Sequence, residues 1–386
     1  MKPPVPEKRR LNILFWNEPY LPMIGGVELF TARLAAVLIS RGHRVSVVAD
    51  RIPSNTSEFE VIDGVSVYRF PFRKTLQALS GPGAEGMEQF SAIIRRIKSL
   101  KRDLQPDIVH INFTGPTPLF HFRTLADSVS QTVVTFQAAL FDQPASIEGL
   151  VSTILEKAKS VVAVSRAAAR NIERHTGFPL NRISIVFPGI PHALFAAHPE
   201  KSAAEPTVVF LGRLVKDKGV DIAIQAMAIL KHGAKLSVIG DGPERPALEA
   251  LVQQLDLQHS VHFAGRVDDD TRRDMLAKAH VMIVPSRHEE LFGMVAAEGA
   301  LSSLPVIAAR MGGLPEVVAD GETGIIVPPD DPVALAQALD RVLADPQLAA
   351  RMGRNGRERA LREFSLENTA DRYERIYFDA LDKAVG

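Results

Sequence analysis

Two carboxylates and two cations are the residues of this sequence whose types and spacing best suit chemistry. Glu290 and Glu298 enclose the segment Leu291-Phe292-Gly293-Met294-Val295-Ala296-Ala297. A helix starting near Gly293 has no Ser, Thr, Asp or Asn to cap it. The N–H groups of Gly293, Met294 and Val295 are then open to an anion such as a phosphate. Carboxylates on both sides of an anion site are electrostatically odd unless each accepts hydrogen bonds from hydroxyls, which sugar or ribose rings supply. Glu298 also stands in an apolar run, where a carboxylate without partners is costly to bury. Plain surface charge is the alternative for two glutamates at this spacing.

The cations belong to Gly212-Arg213-Leu214-Val215-Lys216-Asp217-Lys218-Gly219. Arg213 as a planar fork and Lys218 as a point charge could clamp a diphosphate; a solvated charged loop is the alternative. Gly240-Asp241-Gly242-Pro243 suits a tight turn against a flat ligand such as a nucleobase, and an ordinary turn equally well. Pro22-Met23-Ile24-Gly25-Gly26-Val27-Glu28 sets two glycines before a helix without a capping side chain. That leaves first-turn N–H groups for an anion and room for close approach, although a Gly-Gly pair alone is also a flexible turn.

Each of these loops follows a short apolar run that reads as a strand. The first half offers Leu11–Trp16, Val45–Ala49, Asp107–Ile111, Thr132–Phe136 and Ser160–Val164, with helices over Val27–Ser40 and Phe90–Leu104. The second half restarts the rhythm with strands at Thr207–Leu211, Lys235–Ile239, Val281–Val284, Pro305–Ala308 and Gly324–Val327, and helices at Val220–Lys231 and Glu244–Leu255. Strands alternating with amphipathic helices predict parallel α/β architecture, with ligands beyond the carboxyl ends of the strands. Two domains are expected from 386 residues. The first runs from 1 to 190, the second from 191 to 365, and a terminal helix over 366–386 packs back on the first. The Pro- and Ala-rich stretch Phe187–Pro206 is the expected boundary.

Composition narrows the function classes. With no cysteine, disulfides and thiolate metal sites are excluded, which fits a reducing cytoplasm. The charged, proline-rich stretch Met1–Arg10 lacks the apolar core of a signal peptide, and no run of roughly eighteen apolar residues suggests a membrane span. Net charge is zero but uneven: residues 1–195 hold 23 Lys+Arg against 16 Asp+Glu, and the remainder 22 against 29. A basic first half could face an anionic membrane surface or an acidic acceptor, and chance surface imbalance explains it equally well. Arg95, Arg96, Lys98, Lys101 and Arg102 cluster on one helix and read as a solvated face, with a membrane-surface patch as the sharper alternative. Asp268-Asp269-Asp270 resembles a metal-binding cluster but reads better as the cap of a helix from about Thr271. His110, at the end of a buried strand, reads as a core histidine.

Taken together, the motifs resemble family 4 of the glycosyltransferases, the retaining enzymes of the GT-B fold. The resemblance rests on Glu290, Phe292-Gly293 and Glu298, on Met311-Gly312-Gly313-Leu314-Pro315-Glu316 and on Asp320-Gly321-Glu322-Thr323-Gly324. The Gly-Gly-Val-Glu, Gly-Arg-Leu and Gly-Asp-Gly-Pro loops occur upstream in the family's order. The C-terminal half matches specifically, the N-terminal half in outline.

The resemblance implies two facing Rossmann-like domains with parallel sheets and an interdomain cleft, and retaining, metal-independent transfer of a hexosyl-type sugar from a nucleotide-sugar. Gly25 and Gly26 would approach the donor phosphate or sugar, and Arg213 and Lys218 the diphosphate. Glu298 would hold the ribose and Glu290 the transferred sugar. Phe292, Gly293, Met294 and Val295 would line the donor pocket, with Gly240, Arg266 and Val267 at the base. No cofactor and no nucleic-acid partner is implied. The acceptor would be a glycan, a lipid-linked or a small-molecule hydroxyl. Where family members often have histidine after Thr-Phe, this sequence has Gln137, which can hydrogen-bond a hydroxyl but carries no proton at neutral pH. Phe187-Pro188-Gly189-Ile190 departs from the family's Pro-Asn-Gly. A non-catalytic sugar-binding homologue, a nucleotide-sugar epimerase and a glycan phosphorylase are the rival readings.

Overall fold

A computed structural model of the chain describes residues 9–23, 25–80, 85–127, 129–137, 140, 145–192, 195 and 206–382. They form two compact units. The first comprises the chain up to Val164, Ala169–Gly189 and the chain from Thr369; the second comprises Ser165–Ala168 and Ile190–Asn368. The sequence division at 190 omits the crossing at Ser165–Ala168, and the expected return through the terminal helix falls inside Leu366–Asp382, at Thr369, rather than at its start. Most of the boundary stretch Phe187–Pro206, and residues 1–8 of the N-terminal segment, lie outside the described residues.

The first unit holds strands β1 (Asn12–Asn17), β2 (Arg44–Asp50), β3 (Phe59–Ile62), β4 (Val65–Phe70), β5 (Ile108–Phe113), β6 (Gln131–Phe136), β7 (Ser160–Ala163) and β8 (Ile183–Ile185). Their order is β3-β4-β2-β1-β5-β6-β7-β8, parallel throughout except for the β3–β4 hairpin. Strand β1 shows why the sequence reads as it does. Ile13 and Phe15 join the core that includes Leu34, Leu38, Tyr373 and Tyr377, while Leu14 and Trp16 are buried outside that cluster. A strand covered on both faces needs a continuous apolar run rather than an alternating one. Tyr373 and Tyr377 bring the terminal helix into this core, where their hydroxyls meet Thr135 Oγ1 (3.0 Å) and His110 Nδ1 (2.7 Å). His110, fully buried, also meets Thr135 Oγ1 at 2.8 Å. It is a core residue held by two hydroxyls.

The hairpin β3–β4 was not expected, although Asp63-Gly64 joins its strands with φ of 50° and 80°. Asp-Gly between two short β-rich runs is a strong hairpin signal that could have found it. The basic cluster on helix Glu85–Leu104 is smaller than the sequence suggests. Lys101 is buried and donates to Thr124 Oγ1 at 2.7 Å, and Arg96 pairs with Glu58 at 2.9 Å.

The second unit holds β9 (Thr207–Leu211), β10 (Lys235–Ile239), β11 (Val261–Gly265), β12 (Val281–Val284), β13 (Val306–Ala309) and β14 (Gly324–Val327), all parallel, in the order β11-β10-β9-β12-β13-β14. The chain winds outward from β9 to one edge and returns at β12 to build the other. The switch point is thus between β9 and β12, where open α/β sheets place ligands. Among the described residues no helix is long and apolar enough to cross a membrane.

Candidate active site

The loops leaving β9 and β12 flank the switch point of the second unit. The first carries Arg213 and Lys218, the second Ser286 and Glu290. Lys218 Nζ lies 2.5 Å from Glu290 Oε1, and Ser286 Oγ donates to the same oxygen at 2.8 Å. The Glu290 backbone is fixed as well, its carbonyl accepting from Gly313 N–H at 2.6 Å. Sequence reasoning gave Ser286 and Gly313 no role, because both act through the folded position of Glu290. Arg213 is exposed, and its guanidinium makes no hydrogen bond or ion pair with another side chain among the described residues.

Helix Met294–Leu301 follows the Glu290 loop. Its N-cap, Gly293, has φ 103° and no capping side chain, so the first-turn N–H groups of Met294 and Val295 remain available for an anion. The Phe292 side chain turns away, buried edge-on against Phe364 with ring centroids 5.2 Å apart. Only its backbone can line a pocket. Glu298 is mostly buried, and its Oε2 lies 3.8 Å from Arg272 Nη1 on helix Asp269–Lys278. That arginine places an opposite charge beside the carboxylate, and no local spacing pointed to it.

At the edge of this site, Gly240 and Arg266-Val267 follow β10 and β11. Gly240 N–H donates to the Gly265 carbonyl at 2.8 Å, which sets the two loops side by side. Gly240 has φ 133°, and a Cβ there would fall on the Gly212 carbonyl oxygen. The missing side chain makes room for protein backbone. The sequence had offered a base or an ordinary turn for that space.

In the first unit, Gly25 is the N-cap of helix Gly26–Ser40, with no side-chain cap. The turn is not bare, however. The buried Glu28 carboxylate folds back over Gly25, filling the place a Cβ would take. An incoming anion must share this helix end with Glu28, which the sequence reading of a free glycine turn did not foresee. Gln137, just after β6, donates to Asn112 Oδ1 at 3.1 Å, and Asn112 donates to Asn17 Oδ1 at 2.9 Å and Thr31 Oγ1 at 3.0 Å. An amide network thus orients Gln137.

Two buried carboxylates of this unit also stand at strand ends. Glu18 follows β1 and Asp50 ends β2; burial raises both above the usual carboxylate range, with Arg73 opposing. The acidic triplet of the second unit is occupied locally. Asp268 accepts from Thr271 N–H at 2.7 Å as an N-cap, Asp269 pairs with Arg272 at 3.1 Å, and Asp270 pairs with Arg273. Among the described residues no group of three or more His, Asp or Glu is placed to hold a metal.

Two Rossmann-like units with parallel sheets are the architecture of the GT-B glycosyltransferases. The family model described as glycosyl transferases group 1 matches residues 195–359, and that of glycosyltransferase family 4 matches residues 24–194. A D-inositol 3-phosphate glycosyltransferase of Acidothermus cellulolyticus is 30% identical over 392 residues, spanning 92% of this chain and 86% of that protein. Sucrose-phosphate synthase from Thermosynechococcus elongatus is a structural neighbour at 25% identity and TM-score 0.78, covering 96% of this chain and 99% of that one. HepE of Anabaena, solved with UDP-glucose, shares the fold at 20% identity and TM-score 0.75, covering 95% of this chain and 99% of that one. The chain belongs to glycosyltransferase family 4 and is a glycosyltransferase.

Proposed function

We propose that the protein transfers a sugar from a nucleoside-diphosphate sugar to a hydroxyl of a glycan, lipid-linked or small-molecule acceptor, with retention and without a metal or resident cofactor. One observation carries the reading: Lys218, Glu290 and the open N-terminus of helix Met294–Leu301 converge at the switch point of the second unit. A diphosphate fits the cation and the helix end; hydroxyl groups fit the carboxylate. That HepE is solved with UDP-glucose makes UDP-sugars the first donors to try.

In this mechanism the second unit binds the donor and the first supplies the acceptor side. The acceptor oxygen attacks the anomeric carbon from the face the diphosphate leaves, the bond from that carbon to the diphosphate breaks, and a diphosphate oxygen takes the acceptor proton. Arg213, Lys218 and the helix N–H groups stabilise the charge that develops on the leaving group, the principal catalytic contribution. Gln137 orients a donor hydroxyl without exchanging a proton. Exposed Arg95 and Arg102 on helix Glu85–Leu104 give the acceptor-side unit a basic surface suited to an anionic lipid or acidic glycan.

Thermal unfolding against a panel of nucleotide-sugars tests the reading. A ligand at a hundredfold excess over its Kd adds about 2.7 kcal/mol to stability, so the correct donor should stand out. Slow hydrolysis of that donor in water separates an enzyme from a non-catalytic binder. A panel that shifts nothing and hydrolyses nothing sinks the proposal.

A further inference from the structure

The turn that carries Glu290 also carries an arginine with no assigned role. Arg287 is one-fifth exposed at its side chain. Its Nη1 and Nη2 donate to Asp221 Oδ1 and Oδ2, both at 2.6 Å, in a bidentate pair. Nη1 also donates to the Lys216 carbonyl at 3.2 Å, Nε pairs with Asp330, and the Arg287 backbone N–H donates to the Asp217 carbonyl at 2.8 Å. These contacts hold its guanidinium charged, well above the ordinary arginine value, chiefly through the bonds to Asp221.

Those partners flank Lys218. Lys216 and Asp217 precede it in the short helix Lys216–Lys218, and Asp221 lies in the first turn of helix Val220–Ile229 just after it. Between them, Gly219 has φ 67° and no room for a side chain, since a Cβ would fall on the Pro285 carbonyl. The Lys218 loop therefore rests directly on the backbone of the Arg287 turn. A planar guanidinium can serve a carboxylate with two parallel bonds and a carbonyl with a third; an ammonium cannot.

We infer that Arg287 is a positioning residue for Lys218. It does not touch the donor. It ties the loop before Lys218 and the helix after it to the turn that bears Glu290, so the ammonium is already placed when the diphosphate arrives. The inference rests on the reading of Lys218 as a diphosphate ligand.

Calorimetry on the full chain tests it, with UDP, ADP and GDP as probes and the matching nucleosides as controls. Lys218→Ala should weaken binding of the preferred diphosphate and leave its nucleoside unchanged. Arg287→Lys and Asp221→Asn should each weaken the diphosphate about tenfold, again sparing the nucleoside, and lose most of that effect in the Lys218→Ala background, as coupled neighbours do. Arg287→Lys matters because it keeps the charge. If Arg287 bound phosphate itself, Arg287→Lys would retain much of the affinity, and Asp221→Asn, which frees the guanidinium, would not reduce it. Either of those results overturns the positioning role alone, as does a loss that adds in full to that of Lys218→Ala. Unchanged diphosphate binding in Lys218→Ala, or no binding of any probe by the wild-type protein, overturns the diphosphate reading and this inference together. Thermal unfolding of Asp221→Asn, whose carboxylate is about one-third exposed, verifies that the fold persists.

Discussion

Lys218 Nζ and Glu290 Oε1 are 2.5 Å apart, so the cation proposed for the diphosphate and the carboxylate proposed for the sugar already hold each other. The pair is partly buried, and Ser286 shares its carboxylate oxygen. A diphosphate approaching Lys218 must share it with Glu290 or displace it, and a displaced Glu290 is then available for sugar hydroxyls. In the proposed donor site, binding of the donor would thereby be coupled to release of the carboxylate through one contact.

The first prediction concerns the leaving group. Removing either cation should slow transfer without unfolding the protein. Lys218→Ala and Arg213→Ala should each lower turnover by at least about 10²-fold, as loss of a preorganised charge stabiliser does. Near-normal turnover in Arg213→Ala would take that residue out of the clamp and leave Lys218 and the helix end to carry the diphosphate.

Transfer should also survive exhaustive chelation. The acidic residues most suggestive of a metal are otherwise engaged: Asp268 as a helix cap, Asp269 and Asp270 with Arg272 and Arg273. Turnover measured before and after chelator treatment decides the matter. Loss that magnesium or manganese restores would reopen this triplet as ligands.

Much of the frame was legible in the sequence because parallel strands covered on both faces leave continuous apolar runs. Thr207–Leu211, Lys235–Ile239, Val281–Val284 and Gly324–Val327 coincide with observed strands end to end. The cation loop and the start of the helix at Gly293 were legible too, since a missing cap and a strand end are local signals. What escaped was tertiary pairing. Arg272 lies 26 positions from Glu298, and Arg287 lies 66 positions from Asp221. No periodicity links such partners; only the order β11-β10-β9-β12 brings their loops together. Lys101 misled for the converse reason, because a lysine's type says surface while its hydroxyl partner, Thr124, appears only on folding.

Acid should destabilise the first unit through its buried histidines. Burial holds His110 down at about 3, and it lowers His121 too, with Lys101 adding to the effect. The unfolded chain has histidines near 6.5. Below that value the unfolded state binds more protons than the folded one, so stability falls with falling pH until about 3; above about 6.5 the term vanishes. Each such histidine contributes a slope of about 1.4 kcal/mol per pH unit well inside that window. Glu18 and Asp50, raised by burial, titrate with the opposite sign and cancel when wild type and variant are compared. Trp16, the only tryptophan, is buried in this unit and reports its unfolding. Denaturant midpoints at pH 7 and pH 5 should converge more closely in His110→Gln than in wild type. Equal loss in both would show that His110 does not titrate on unfolding as described.

The last prediction separates the two glutamates. Glu298 lies on the flank of helix Met294–Leu301, more than a turn beyond its open end, beside Arg272; Glu290 stands before that end, beside Lys218. A carboxylate accepting from two vicinal ribose hydroxyls makes charge-assisted bonds worth about 1.5–3 kcal/mol each. Glu298→Ala should therefore weaken the free nucleoside diphosphate and the full donor alike. Glu290→Ala should behave differently, because it removes a sugar ligand and also the competitor for Lys218. Nucleoside diphosphate binding should stay intact or tighten, while transfer and the added affinity of the sugar moiety are lost. Calorimetry on both variants, with and without the sugar attached, reads these outcomes directly. Loss of the nucleotide in Glu290→Ala with retention in Glu298→Ala reverses the assignment. If neither variant changes binding or rate, neither carboxylate belongs to the donor site.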